Sequence, residues 1–85
     1  MDRFQVSIHP MANGCRVRVE GIQNAKWLLN RLSQSFVFKS SEAIKEERGS
    51  SYSIFNVLYS SQISPSRFKK LLAFIPEVNL LLDPA

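Results

Sequence analysis

The sequence predicts an α+β domain in which two helices cover one face of an antiparallel sheet. Several short runs alternate apolar and polar residues, which is the period of a half-buried strand. Two other segments carry apolar residues at the i, i+3, i+4, i+7 spacing of an amphipathic helix. From Cys15 onward the predicted order is strand, helix, strand, strand, helix, strand, which makes two split β-α-β units.

Length and composition favour a single folded domain over residues 1–85. Of the 85 residues, 45% are hydrophobic and 21% charged, which is ordinary for a globular chain and argues against disorder. One cysteine, Cys15, cannot form a disulfide within the chain and fits a reducing compartment. The first residues lack the apolar run of a signal peptide, and no stretch approaches the roughly 18 apolar residues of a membrane span. We therefore expect a cytoplasmic protein without a membrane partner.

The first half of the chain predicts two strands and a helix. Phe4–His9 alternates as a strand, and Pro10–Gly14 contains the turn dipeptide Asn-Gly. Cys15–Glu20 alternates cleanly, so only one of its faces should be buried. Asn24 is the predicted N-cap of a helix over Ala25–Phe36, because an asparagine side chain can accept a bond from an exposed backbone N–H.

The middle of the chain predicts further strands. Val37–Lys39 and Ala43–Lys45 both fit a strand, and Arg48–Ser51 reads as a turn. Tyr52–Tyr59 is the strongest strand of the chain, since it is rich in aromatic and β-branched residues. Both faces of that strand are partly apolar, so we expect it to be central in the sheet.

The C-terminal part predicts a second helix and a last strand. Ser64 and Pro65 are a cap residue followed by a proline at the first helical position. The helix should run over Pro65–Ile75, where Pro76 stops it. Val78–Leu82 is the last predicted strand.

This layout resembles the ferredoxin-like fold, also called the α/β plait, over about residues 15–83. The resemblance implies a first strand flanked on both sides, which leaves no free place for Phe4–His9 beside its hairpin partner. That additional strand could cap an edge, continue Cys15–Glu20 as one bent strand, or pair with another chain. A two-layer arrangement of different topology is the alternative.

The loop before the first predicted helix carries a second resemblance. Val19–Trp27 is similar to the loop of heavy-metal-associated domains, where a glycine and an apolar residue precede a C-x-x-C pair. Here Asn24 and Trp27 stand at the two cysteine positions, and neither is a soft metal ligand. Lys26 would also repel a cation. We therefore expect no metal and no cofactor.

The same loop looks a little like the phosphate loop of acylphosphatases over Arg18–Ile22. That family needs an early helix arginine, for which Lys26 is a poor bidentate substitute, and an asparagine, which Asn56 could supply. The only histidine, His9, lies next to a predicted turn, and Glu46–Glu47 reads as a solvated hairpin end. The sequence thus predicts a non-catalytic protein.

An RNA-recognition motif shares the layout and stacks bases on sheet aromatics. Arg48–Phe55 loosely follows the signature of one of its strands, which has two aromatic positions. Ser50 occupies the first of them and is not aromatic, whereas Tyr52 occupies the second and is. Arg18 occupies the aromatic position of the other signature strand. One of the three stacking positions survives, so this mode of RNA binding is not expected.

The strongest predicted strand suggests a protein interface. Phe55, Val57 and Tyr59 share one face of this strand and could pack under the helices. The opposite face would then expose an apolar patch formed by Tyr52, Ile54 and Leu58, which Leu81 could join. Such a patch usually marks a protein partner or a second copy of the chain. The alternative is that the N-terminal strand or a loop covers it.

The two predicted helices carry the charge imbalance of a chain whose net charge is +4. They contain no Asp or Glu, and their basic residues are Lys26, Arg31, Arg67, Lys69 and Lys70. A basic face of this kind selects anionic partners, and Trp27 beside Arg31 could take part. The alternative is an ordinary solvated surface.

These features give three hypotheses in order of preference. The first is a non-catalytic module that binds a protein, or itself, through the sheet face. The second is binding of nucleic acid or another polyanion through the basic helical face. The third and least favoured is a small phosphate-directed enzyme that uses the loop at Gly21.

Overall fold

The computed structural model describes residues 3–34, 38–41, 43–59 and 64–81. It confirms the predicted α+β class. The elements in chain order are β1 (Phe4–Met11), β2 (Gly14–Glu20), α1 (Ile22–Ser33), β3 (Phe38–Ser41), β4 (Lys45–Glu46), β5 (Tyr52–Tyr59), α2 (Pro65–Ala73) and β6 (Val78–Leu81).

The sheet is mixed, which corrects the prediction of an antiparallel sheet. Its strand order is β3-β5-β2-β1-β6, and β4 also pairs with β5. All pairs are antiparallel except β1 with β6, which is parallel. Because β2 occupies one side of β5, β3 and β4 together form the irregular strand on its other side. The predicted central position of β5 is thus confirmed.

The N-terminal strand lies inside the sheet, between β2 and β6. Val6 pairs with Val19 on one side and with Leu80 on the other. The strand therefore neither caps an edge nor continues β2, and its pairing is within the chain, contrary to all three expectations. In the part of the chain that the structure describes, the pairing of β1 with β6 reaches only as far as Ser7, so the stretch around Pro10 is locally an edge and tolerates a proline.

Both helices pack on the same face of the sheet. Alternate residues of β1, β2 and β5 point into one core, which they share with side chains from α1 and α2. Leu28, Phe68 and Leu72 are fully buried there. The intervening residues of the strands line the opposite face, which the helices leave open. The result is consistent with a two-layer sandwich.

The first helix begins at Ile22, three residues before the predicted start. Gly21 is the N-cap, and its φ of 89° favours glycine. Asn24, the predicted cap, lies inside the helix, and its Nδ2 donates to the carbonyl oxygen of Glu20 at 2.7 Å. Asn24 therefore ties the helix to the end of β2. The predicted helical residue Phe36 falls outside the described residues.

The second helix begins as predicted. The Oγ of Ser64 accepts a bond from the backbone N–H of Arg67 at 3.3 Å, and Pro65 is the first helical residue. The helix ends at Ala73, two residues earlier than predicted, and the N–H of Phe74 closes its last turn. The predicted strand residues Val37 and Leu82 fall outside the described residues.

Candidate functional site

The five basic residues predicted to form one face are all exposed, but they do not form one patch. Helix geometry places Lys26 and Arg31 about 140° apart around α1. The same geometry separates Arg67 and Lys69 to opposite flanks of α2, about 160° apart. Lys70 lies on the outer surface between them. The predicted cationic face is therefore divided among several directions.

Two adjoining pockets border α1, one opposite the end of α2 and the other opposite the turn at Pro76 and Glu77, with volumes of about 350 and 390 Å³. They share Arg31 and Gln34, and we call the two together the interhelical groove. The first is lined by Arg31, Leu32, Gln34, Leu71, Phe74 and Ile75. The second is lined by Trp27, Asn30, Arg31, Gln34, Pro76 and Glu77. Of the predicted basic-face residues, Trp27 and Arg31 therefore line one groove.

Phe74 stands at the edge of this groove with 82% of its surface exposed. Its backbone N–H completes the last turn of α2 by bonding to Lys70 and Leu71, which any residue except proline could do. The side chain is thus not needed by the core. The sequence interpretation missed Phe74, although it is an aromatic residue outside the buried stripe of its helix.

Two rows of side chains flank the groove. Leu71 and Phe74 line it from α2, and the i, i+4, i+7 spacing places Arg67 in the same row one turn earlier. Trp27, Arg31 and Gln34 form the matching row of α1. Trp27 is half-buried and packs edge-on against Phe4, with ring centroids 5.8 Å apart, so this end of the groove is rigidly supported.

The open sheet face places Tyr52 under an arginine. The guanidinium of Arg18 lies 3.9 Å from the centroid of the Tyr52 ring. The same guanidinium makes two bonds of 2.8 Å to the carboxylate of Glu47, which also accepts from Ser50. The Tyr52 hydroxyl donates to Oε1 of Gln5 at 2.6 Å. Tyr52 is therefore one member of a structural network. It is also the one aromatic residue that matches the RNA-recognition signature, and Arg18 covers its ring.

The hydrogen bonds of this network shift the pKa of Glu47. Hydrogen bonds from Arg18 and then from Ser50 lower the pKa of the Glu47 carboxyl to about 2. The carboxylate is therefore ionised across the whole neutral and mildly acidic range, and it neutralises Arg18.

The other two residues of the predicted sheet patch are separated from each other. Ile54 is half-buried and lies between Arg18 and Lys45 on the neighbouring strands. Leu58 is 49% exposed and pairs across the sheet with Gly14, beyond which lies Met11, equally exposed. The apolar residues thus stand toward the edges of this face, and arginines occupy its middle.

Two groups that could serve in catalysis, the Cys15 thiol and the backbone N–H of Gly21, already have structural roles. Burial raises the pKa of the Cys15 thiol, although a hydrogen bond with Tyr59 partly opposes the shift. The thiol is therefore protonated and enclosed. In the loop resembling a phosphate site, the N–H of Gly21 donates to Ser51 at 2.8 Å, so this donor already has a partner. Within the described ranges, no group of three His, Cys, Asp or Glu side chains is arranged to hold a metal ion.

Comparisons of the chain with protein-family models, with curated proteins and with solved structures found no match. Neither helix in the described part of the chain is long and apolar enough to cross a membrane.

Proposed function

We propose that this chain is a non-catalytic protein-binding module whose docking surface is the interhelical groove. The observation that carries the proposal is Phe74, which is 82% exposed beside a pocket. An exposed aromatic ring contributes little to the stability of the fold. Its burial against a partner would remove apolar surface from water, which is favourable by roughly 25 cal/mol per Å². Aromatic and arginine side chains are enriched among the residues that dominate binding energy, and this groove presents both.

The groove suits a protein partner better than the sheet face does. In a typical interface an apolar centre is surrounded by a polar rim. The groove follows this arrangement, because Leu71 and Ile75 lie within it and Arg31 borders both pockets. The sheet face has the reverse arrangement, with Arg18 in the middle and Leu58 toward the edge.

The partner in this proposal is another protein and not a second copy of the chain. A symmetric dimer would place one groove against another and bring Arg31 near its equivalent. The chain also carries a net charge of +4, so two copies repel each other.

The test is a selection of peptides from a random displayed library against the full-length protein. Binders are then measured by fluorescence anisotropy against Phe74→Ser and Leu58→Ser. The two variants form a matched pair, because each removes an exposed apolar side chain, one in the groove and one on the open sheet face. Circular dichroism verifies that both variants fold.

The proposal expects peptides whose affinity falls at least tenfold with Phe74→Ser and by less than threefold with Leu58→Ser, since tenfold is about 1.4 kcal/mol. Loss with Leu58→Ser alone would move the docking surface to the sheet patch of Tyr52, Ile54 and Leu58. Absence of any binder that depends on Phe74 would contradict the proposal.

A second candidate function is binding of nucleic acid or another polyanion through the helices. It is supported by the exposure of Lys26, Arg31, Arg67, Lys69 and Lys70. Binding of this kind depends on release of counterions and falls steeply with salt. A single-stranded oligonucleotide that binds at low salt, and is released as salt rises, would support it. The division of the cations among several directions makes it the lesser candidate.

We infer further that the fold is a ferredoxin-like plait with one inserted strand. If β1 is removed from the order β3-β5-β2-β1-β6, the remaining strands follow the order of that fold. A truncated chain would test this inference. A variant lacking residues 1–11 that still folds, with β6 paired to β2, would support it, and a folded variant in which β6 pairs with another strand would contradict it.

A further inference from the structure

We propose that the segment bound in the interhelical groove is an acidic amphipathic helix. This inference rests on the proposed function and adds the chemistry of the partner. The groove has two walls: Trp27, Arg31 and Gln34 line one from α1 and its C-cap, and Leu71 and Phe74 line the other from α2 and its C-cap. Helical spacing places Arg67 one turn before Leu71 in the same row.

The backbone of the walls decides the conformation of the partner. The walls consist of α1, the end of α2 and the turn that follows it, and most backbone groups of the helices are bonded within the helices. In the turn, the N–H groups of Phe74 and Ile75 and the carbonyls of Ile75 and Glu77 also have partners within the chain, so the groove offers mainly side chains. An extended peptide buried there would leave its own backbone groups without partners, which is costly. A helix satisfies its backbone internally and can bury one apolar stripe between two helices, as in helix-in-groove recognition.

The charge of the walls decides the charge of the partner. Arg31 borders both pockets, and Arg67 continues the α2 row one turn from Leu71. Glu77 is the one acidic residue that lines the two pockets described here. Neither helix contains an Asp or Glu within its bounds. Glutamates or aspartates beside the apolar stripe of the partner would therefore find cations on both walls.

The apolar anchor of the partner is placed by the first pocket. Its volume of about 350 Å³ lies within the range of about 300–1,000 Å³ that is typical of ligand sites. Leu71 and Ile75 line this pocket, and Phe74 stands open beside it. A leucine or aromatic residue of the partner seated there would cover the exposed ring of Phe74. Helical spacing directs Lys69 away from the row of α2, so it takes no part.

The test uses three designed peptides of about 18 residues, long enough to form a helix. The first carries leucines at i, i+3, i+4 and i+7 with glutamates on the flanks. The second replaces every glutamate by lysine, and the third keeps the composition of the first but scatters the leucines. Affinity is measured by anisotropy, and Trp27 fluorescence reports occupancy of the groove, since Trp27 is the only tryptophan.

The proposal expects the first peptide to bind and the other two to bind at least tenfold more weakly. Phe74→Ser and Arg31→Glu should each lower the affinity for the first peptide about tenfold or more. Lys69→Glu changes the charge by the same amount outside the groove and should lower that affinity less than about twofold. Arg31→Glu should also improve binding of the lysine peptide, because the charges are then exchanged.

Failure of this inference is distinguishable from failure of the proposed function. Peptides selected from the random library that depend on Phe74, but are basic, extended or rich in proline, would overturn the acidic helix and leave the docking surface in place. A library without Phe74-dependent binders would overturn both. Equal binding of the acidic and scattered peptides, or binding of an oligonucleotide in their place, would also overturn the inference.

Discussion

The guanidinium of Arg18 lies 3.9 Å from the centroid of the Tyr52 ring and holds the carboxylate of Glu47 by two bonds of 2.8 Å. These contacts of Arg18 join β2 to Tyr52 on β5 and to Glu47 in the segment that precedes β5. A surface that the sequence presents as an apolar patch is thereby converted into a closed polar network. The relationship explains why the open sheet face offers less to a partner than its composition suggests.

Acid should weaken this network through Glu47. The folded protein lowers the pKa of this carboxyl to about 2, below its ordinary value of 4.5. A depressed pKa gives stability that is present above pH 4.5 and is lost as pH falls toward about 2. The difference in urea midpoint between wild type and Glu47→Gln should therefore be largest near neutral pH and shrink on acidification. A difference independent of pH would contradict the assignment.

Removal of the Tyr52 hydroxyl should destabilise the protein by about 1 kcal/mol. Tyr52→Phe keeps the ring under Arg18 but loses the 2.6 Å bond to Gln5. A double-mutant cycle with Gln5→Ala, read by urea unfolding, isolates that bond. The loss of unfolding free energy in the double variant should be clearly smaller than the sum of the losses in the two single variants. Strict additivity would show that the hydroxyl and the amide do not interact.

Local pattern carries most of the secondary structure but not the place of β1. The alternation of Cys15–Glu20 and the cap at Ser64 are local signals, and both elements appear where these signals predict them. The pairing of Val6 with both Val19 and Leu80 joins residues far apart in the chain. Periodicity reports which face is buried and does not report which strand is the neighbour. The mixed sheet could therefore not be predicted.

Gly14 should tolerate substitution far less than Gly49. A Cβ at Gly14 would overlap the carbonyl oxygen of Val57 on β5, so Gly14→Ala must displace that strand and should cost about 1–3 kcal/mol. Gly49 has a φ of 79° but open space around it, so Gly49→Ala should cost only the backbone strain, about 1 kcal/mol. Thermal unfolding of both variants checks the order. The reverse order would show that β5 does not approach the turn.

Asn24→Asp separates the predicted role of Asn24 from the observed one. An N-cap accepts a hydrogen bond, so aspartate would serve as well as asparagine. In the structure Asn24 donates to the carbonyl of Glu20, which an ionised aspartate cannot do. The variant should lose about 1 kcal/mol in urea unfolding. Unchanged or increased stability would restore the capping role.

The candidate site was harder to predict than the fold. The absence of acidic residues from both helices indicates Arg31, and Trp27 is added because it lies one turn away; the structure places both in one groove. That absence could not show that Lys69 points elsewhere, because the direction of a side chain depends on where its helix begins and packs. Phe74 lay outside the buried stripe of its helix, so only the packed structure shows that its ring is left exposed.

Amide NMR of the labelled full-length protein with a library-selected peptide locates the docking surface residue by residue. Binding in the interhelical groove should concentrate the shifts in residues 27–34 and 71–77, around Arg31 and Phe74, and Phe74→Ser should remove them. The amides of Tyr52–Tyr59 should remain in place. Shifts confined to that strand, with no response around Phe74, would rule out binding in the groove and place the docking surface on the open sheet face.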